Sequence, residues 1–335
     1  MVDQNTSDNF ALAKTASIIM VVVGHFQLGY ESTWILVTIG LFVFGFSSGF
    51  FTSAKYDERL PLAAYWQNKL FRLGPSLLVA NAFLLGLFCF RGTPGIWTWQ
   101  TPVSVLGLSG FLNWFGIPDA SPFGAGLWFF TLLLIFYGVY PVLRWIGRSR
   151  SALGVVGFLA LVAAAILNRH VTMGHALWLT AWSFIFGVVV RRFHISLSAW
   201  LSGSLAACFA GLMVVLNVSA GFKQLNFLLI VAMAAFTVLC IKDARLPHKL
   251  PLSRFLLSGC LMEIYVVHSY LYVRPTGQKM FDLAISLAWI IFVSWLLSRV
   301  ARGIRRRLHH DSAKGIPGTL PEENADQLGR KVVTS

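Results

Sequence analysis

Six ionisable residues stand inside or at the mouth of apolar sequence: Lys14, His25, Lys69, Arg72, Glu263 and His268. Charge at membrane depth is costly, so each is a functional candidate. A histidine titrates near neutrality and can take a proton from a hydroxyl or act as a nucleophile. Lys69 and Arg72 lie at i and i+3, on one helix face. Such a pair can hold phosphate or pyrophosphate, the lysine as a point charge and the arginine as a fork. Plainer readings stand beside these. Lys14 can be a snorkelling interface lysine and Lys69/Arg72 ordinary flanking charge. His25 can be a hydrogen-bonded core histidine, and Glu263 a pin pairing with a cation or histidine to hold helices together.

Spacing adds to the types. Eleven helical steps separate Lys14 from His25, about three turns, so both share a face with a height difference of about 16 Å. Counted from the cytoplasmic ends of their segments, His25 lies about 22 Å deep and His268 about 21 Å deep. Two histidines at matching depth on separate helices can line one cavity. Glu263 falls about two turns below them.

These residues need apolar elements to carry them. The chain has 335 residues, of which 56% are hydrophobic and 12% charged, about half the usual charge of a soluble domain. That excludes disorder, a collagen-like fibre and an ordinary soluble enzyme. The fold class is all-α, a polytopic integral membrane protein. Ten spans are expected, near 10–29, 34–53, 71–90, 126–145, 152–168, 173–190, 197–217, 224–241, 254–273 and 281–299. The stretch 92–125 holds Pro94, Pro102, Gly107, Gly110, Trp97, Trp99 and Trp114, and its apolar core is too short to cross, so an interfacial or re-entrant loop is expected.

The net charge of +14 is read as loop charge rather than nucleic-acid binding. One alternate set of loops carries eighteen cations, Lys55, Arg59, Lys69, Arg72, Arg144, Arg148, Arg150, Arg191, Arg192, Lys242, Arg245, Lys249, Arg254, Arg299, Arg302, Arg305, Arg306 and Arg307. The other carries five, Arg91, Arg169, Lys223, Arg274 and Lys279. The asymmetry supports the count of ten and puts both termini in the cytoplasm. Residues 1–307 form the transmembrane domain, and 308–335 a flexible cytoplasmic tail. Asp3 and Asp8 occupy the N-terminus in place of a basic region, so no cleavable signal peptide is expected. Cys89, Cys208, Cys240 and Cys260 lie in apolar stretches without paired spacing, as core residues rather than a disulfide frame or metal site.

Five ordered patterns resemble the bacterial acyltransferase 3 family of membrane-bound O-acyltransferases. Lys14, ten residues and Gly24-His25 are similar to its first-span pattern of a basic residue, ten residues and Gly-His. Phe44-Gly-Phe-Ser-Ser-Gly-Phe-Phe51 is similar to the end of its second span, and Lys69-Leu-Phe-Arg72-Leu-Gly-Pro75 to the start of its third. Leu127-Trp-Phe-Phe-Thr131 with Tyr137 and Pro141 resembles its Leu-Trp-Phe span, and Glu263-Ile-Tyr-Val-Val-His268 its Ile-Tyr-Leu-x-His motif. The resemblance implies a domain over 1–307 with ten spans, acyl-CoA, usually acetyl-CoA, as co-substrate, and transfer to a hydroxyl of a glycan or other acceptor. It implies a catalytic His25 and donor contacts from the basic residues. The chain departs from the pattern where Lys14 and Lys69 replace the usual Arg, keeping charge but losing bidentate binding. Leu133, Leu134 and Ile135 also stand where some members carry Glu or Gln, leaving Glu263 as the deep carboxylate.

The expected reaction has acyl-CoA entering at the cytoplasmic mouth with its phosphates near Lys14, Lys69 and Arg72. His25 activates the acceptor hydroxyl or itself carries the acyl group. Glu263, His268 or Tyr265 assist proton transfer or orientation. This reading requires a path from the basic mouth to the His25 ring. Expected partners are acyl-CoA, a hydroxyl acceptor and the lipid bilayer, with no metal and no nucleic acid, and the expected site is the cell inner membrane. A secondary transporter with a proton relay through His25, Glu263 and His268 is the rival, and it lacks an internal repeat of the basic patterns. A non-catalytic scaffold leaves the ionisable groups at depth without an account. The acceptor stays open among surface and periplasmic glycans, peptidoglycan and a small secreted metabolite.

Overall fold

A computed structural model describes residues 2–26, 31–56, 58–124, 127–171, 175–219, 226–245, 257 and 259–315. Every regular element among them is helical: α1 (Gln4–Phe26), α2 (Glu31–Lys55), α3 (Leu62–Arg91), α4 (Gln100–Val105), α5 (Ser109–Trp114), α6 (Trp128–Ile146), α7 (Arg150–His170), α8 (His175–Phe193), α9 (Ala199–Ser219), α10 (Asn226–Asp243), α11 (Leu261–Val267) and α12 (Lys279–Gly315). Seven of these are long and apolar enough to cross a membrane, namely α1, α2, α3, α6, α7, α9 and α12. The 19 residues of α8 and 18 of α10 cover the sixth and eighth expected segments. The protein is polytopic, with the apolar side chains that face outward taking the place of a polar surface.

The ninth expected span, 254–273, is not one straight helix. Residues 254–256 and 258 lie outside the described residues. Beyond them α11 runs for 7 residues and tightens into a 3₁₀ turn over His268–Tyr270. The Leu271 N–H bonds the His268 carbonyl, the i to i+3 pattern of a narrowing helix. The chain then leaves the axis, held by Ser286 Oγ, which accepts from Val273 N–H at 3.0 Å and donates to its carbonyl at 2.9 Å. Pro275 follows two residues later and blocks a return to helix.

Small residues seat α2 against α8. A Cβ at Gly49 would collide with the Phe184 carbonyl, and one at Gly187 with the Phe46 carbonyl. Close helix approach through small residues is how apolar spans gain packing where lipid offers no hydrophobic drive. Gly187→Leu is expected to force the two helices apart. Overpacking of this kind destabilises by about 1–3 kcal/mol, read as a lowered melting temperature of the detergent-solubilised protein. An unchanged melting temperature would show that α2 and α8 are not so closely seated.

At one end of the bundle, arginines from several of the cation-bearing segments tie neighbouring segments together. Arg144 donates to the Tyr56 and Glu58 carbonyls, Arg192 to that of Gly147 and Arg305 to that of Arg72. Asn5 and Asn9 bond the Ala244 carbonyl. At the other end Arg91 reaches the Tyr270 carbonyl and Arg274 that of Phe26. Between α3 and α6, the expected non-spanning stretch forms two six-residue helices, α4 and α5. Thr131 ties them down: its hydroxyl donates to the Gly107 carbonyl at 2.7 Å and accepts from Gly110 N–H at 2.9 Å.

The last helix outruns expectation. α12 continues through 308–315, residues read from sequence as flexible tail, because no proline interrupts it before Pro317. Residues 316–335 lie outside the described residues.

Candidate active site

Lys14, Lys69 and Arg72 do converge. They line one cavity of about 900 Å³ near the cation-rich end, between α1, α2, α3, α6, α11 and α12. Pro75 sits inside α3 just past the two cations, where a missing N–H loosens the helix. Lys69 is 7% exposed. Its ammonium donates to Thr52 Oγ1 at 3.0 Å and lies 3.9 Å from the centre of the Tyr137 ring. The Lys14 ammonium lies 5.6 Å from the centre of the Phe51 ring. Among the described residues, the charged neighbours acting on Lys69 are Arg72 and Lys55, and on Lys14 it is Arg72, all cations.

The cavity wall brings in groups that the sequence reading did not assign. Lys55, Arg302 and Arg305 add three more cations. Arg302 is held along its own helix by the Ser298 carbonyl and hydroxyl. Arg305 spends one terminal nitrogen on the Arg72 carbonyl, while its Nε is buried without a partner among the described residues. These arginines counted in the sequence only as loop charge. Their i, i+3 spacing was the available signal, since it puts both on one face of α12. Ser47, Ser48, Thr52 and Tyr137 supply neutral polar groups. The pattern around Phe44 therefore divides its work: Ser47 and Ser48 face the cavity, while Gly45 and Gly49 face α8.

Glu263 is also on this wall and only 3% exposed. It bonds Ser76 through its side chain and feels Arg305 and Arg302. It stands on the same wall as the arginines rather than beside the histidines. Among the described residues, six cations thus face one carboxylate around the cavity.

His25 and His268 meet, as their matching depths suggested. His268 Nε2 is 2.9 Å from His25 Nδ1, with ring centres 5.0 Å apart. His268 is fully buried and His25 partly exposed. Tyr272 holds the adjoining end of α1, its hydroxyl donating to the Val22 carbonyl at 2.7 Å.

Neither histidine is among the residues lining the large cavity. Tyr265, three residues before His268 and on the same face of α11, fills the level between. Its ring centre is 6.0 Å from that of His268 and 5.4 Å from that of Phe129. Both aromatic rings line the cavity, so they form a partition between its inner end and the histidine pair. On α1 the cavity reaches Ile18, about 10 Å short of His25 at the helical rise.

Among the described residues no group of histidine, cysteine or carboxylate side chains could hold a metal ion. The acyltransferase 3 family model, described as an acyltransferase domain, matches residues 8–299. No curated protein and no solved structure matches the chain.

Proposed function

The chain belongs to the acyltransferase 3 family, and from that premise we propose that this membrane acyltransferase moves an acetyl group from acetyl-CoA to a hydroxyl of a cell-surface or secreted glycan, or a similar acceptor. The observation that carries the reading is the charge of the cavity: among the described residues six cations against one carboxylate, in a space of about 900 Å³ below a histidine pair. CoA carries its negative charge on a pyrophosphate and a phosphomonoester. Such groups relieve the mutual repulsion of Lys14, Lys69 and Arg72 and take charge-assisted hydrogen bonds from them. The pantetheine arm then points the thioester toward α11.

The chemistry uses His25. Its ring takes the proton of the acceptor hydroxyl as the oxygen attacks the thioester carbonyl. The tetrahedral intermediate collapses with loss of CoA thiolate, which recovers the proton from the imidazolium, and the products are an ester and CoA. The alternative route passes through an acyl-histidine, and trapping of an acylated enzyme after acetyl-CoA alone separates the two. In either route the thioester has to pass the Phe129–Tyr265 partition, so the reading requires these two rings to turn aside. The crowding of His268 by Tyr265 and Tyr272, and of neighbouring Phe26 by Tyr272, suits the shortest acyl group. The cation-rich end faces the cytoplasm by the positive-inside rule, in the inner membrane, and the acceptor approaches from the opposite side.

The test is acyl transfer by protein purified into nanodiscs, with labelled acetyl-CoA and a panel of glycans. Label appearing on a glycan hydroxyl supports the reading; uptake of substrate by proteoliposomes with no acyl-CoA requirement overturns it. Arg305→Ala is expected to raise the Michaelis constant for acetyl-CoA about ten-fold, the scale of one charge-assisted bond, with turnover little changed. A normal Michaelis constant would remove Arg305 from donor binding.

A further inference from the structure

We infer that His268 is a positioning residue that fixes which nitrogen of His25 is free to react. The inference rests on the proposed role of His25 and deepens it. Four hydrogen bonds around His268 carry the argument, beside one that the His25 ring makes to the Val21 backbone a turn back along α1. His268 Nδ1 lies 2.7 Å from the Tyr265 carbonyl and 3.2 Å from the Ile264 carbonyl. Carbonyl oxygens only accept, so Nδ1 of His268 carries a hydrogen. Its neutral ring then presents an unprotonated Nε2, a pure acceptor. Ser269 Oγ, 3.3 Å from that nitrogen, is able to donate to it. His25 Nδ1, at 2.9 Å, must therefore be the protonated nitrogen of its own ring. The lone pair of His25 is left on Nε2.

The opposite assignment would need a doubly protonated His268 donating from Nε2. That places a cation on a fully buried ring whose partners are two carbonyls, a hydroxyl and an imidazole, none of them anionic. A buried unpaired charge is far costlier than a neutral ring with the same contacts. The tightening of α11 into its 3₁₀ turn at His268 is what brings this ring under the Tyr265 carbonyl while its other nitrogen faces α1. The arrangement performs with a neutral histidine what a carboxylate does for the base of a hydrolase triad: it holds tautomer and orientation. It differs in adding no charge next to the imidazolium that forms.

The experiment is nitrogen NMR of histidine-labelled protein in nanodiscs, with His25 assigned by the His25→Ala difference spectrum, alongside kinetics of His268→Leu and His268→Gln. The expected spectrum shows His25 with hydrogen on Nδ1 and a bare Nε2. His268→Leu is expected to lose that tautomer preference and to cut turnover about 100-fold, with the Michaelis constant for acetyl-CoA unchanged. That loss is smaller than the ~10⁴-fold seen when an amide replaces a triad carboxylate, because the amide enforces the wrong tautomer whereas leucine leaves the ring free to adopt either. His268→Gln, whose amide offers a donor and an acceptor at the same spacing, is expected to restore turnover to within about ten-fold of the parent. A bare Nδ1 on His25 in the unsubstituted protein overturns the inference, as does a leucine variant with tautomer and turnover both intact. The spectrum needs no turnover. The expected tautomer in a protein with no acyl transfer would sink the proposed reaction and leave this inference standing.

Discussion

His25→Ala is expected to cut acyl transfer by about 10²- to 10⁴-fold, the range that positioned general bases supply, while CoA binding survives. The separation follows from the geometry. His25 does not line the cavity that holds Lys14, Lys69 and Arg72, and the Phe129–Tyr265 partition stands between them. Removing the imidazole takes away the proton acceptor without touching a phosphate contact. The loss should therefore fall on turnover, with the dissociation constant for CoA, measured by calorimetry, within a factor of two or so of the parent at a sensitivity of about 0.4 kcal/mol. Folding is not the confounding factor it would be for His268. His25 is only partly buried, and Tyr272 independently fastens the end of α1 at Val22. Full activity in this variant would remove the imidazole from the chemistry. Loss of CoA binding with activity would show that the donor reaches the histidine pair in its resting state, contrary to the partition.

Much of this site was readable in the sequence because helical periodicity converts spacing directly into height and face. Lys69 and Arg72 are three apart on one helix, and they share a cavity. His25 and His268 have equal depths on separate segments, and they touch. Three features escaped for physical reasons. The shortness of α11 is set by tertiary bonds from Ser286 and by the turn at His268, while hydropathy over 254–273 registers only apolar length. The partition depends on two aromatic rings from segments 136 residues apart in sequence, Phe129 and Tyr265, a contact no local pattern encodes. Arg302 and Arg305 carry the same signature whether they flank a span or line a cavity, so loop charge absorbed them. Glu263 is the converse case. Its depth was legible, but depth alone did not say whether its neighbours were histidines or arginines.

Lys69→Met separates a structural lysine from one kept for the donor, and the two accounts differ in sign. The ammonium is 7% exposed, and among the described residues a hydroxyl and the Tyr137 and Tyr65 rings hold it. None of these is anionic, and the charged neighbours among the described residues are Arg72 and Lys55. A buried charge without an opposite partner is a net liability to the empty protein, even with a cation–π contact contributing about 2 kcal/mol. Methionine keeps the stem packing and removes the charge. The CoA-free variant is therefore expected to melt higher than the parent. With the charge goes one of the anion contacts. Hydrogen bonds to charged groups contribute about 1.5–3 kcal/mol, so the Michaelis constant for acetyl-CoA should rise about 10- to 100-fold, and the stabilisation conferred by added CoA should shrink. A stability gain bought with lost function is the expected signature of a residue retained for its ligand. If the variant instead melts lower and binds acetyl-CoA normally, Lys69 is a pin between α2 and α3 through Thr52, and the phosphates of the donor sit elsewhere.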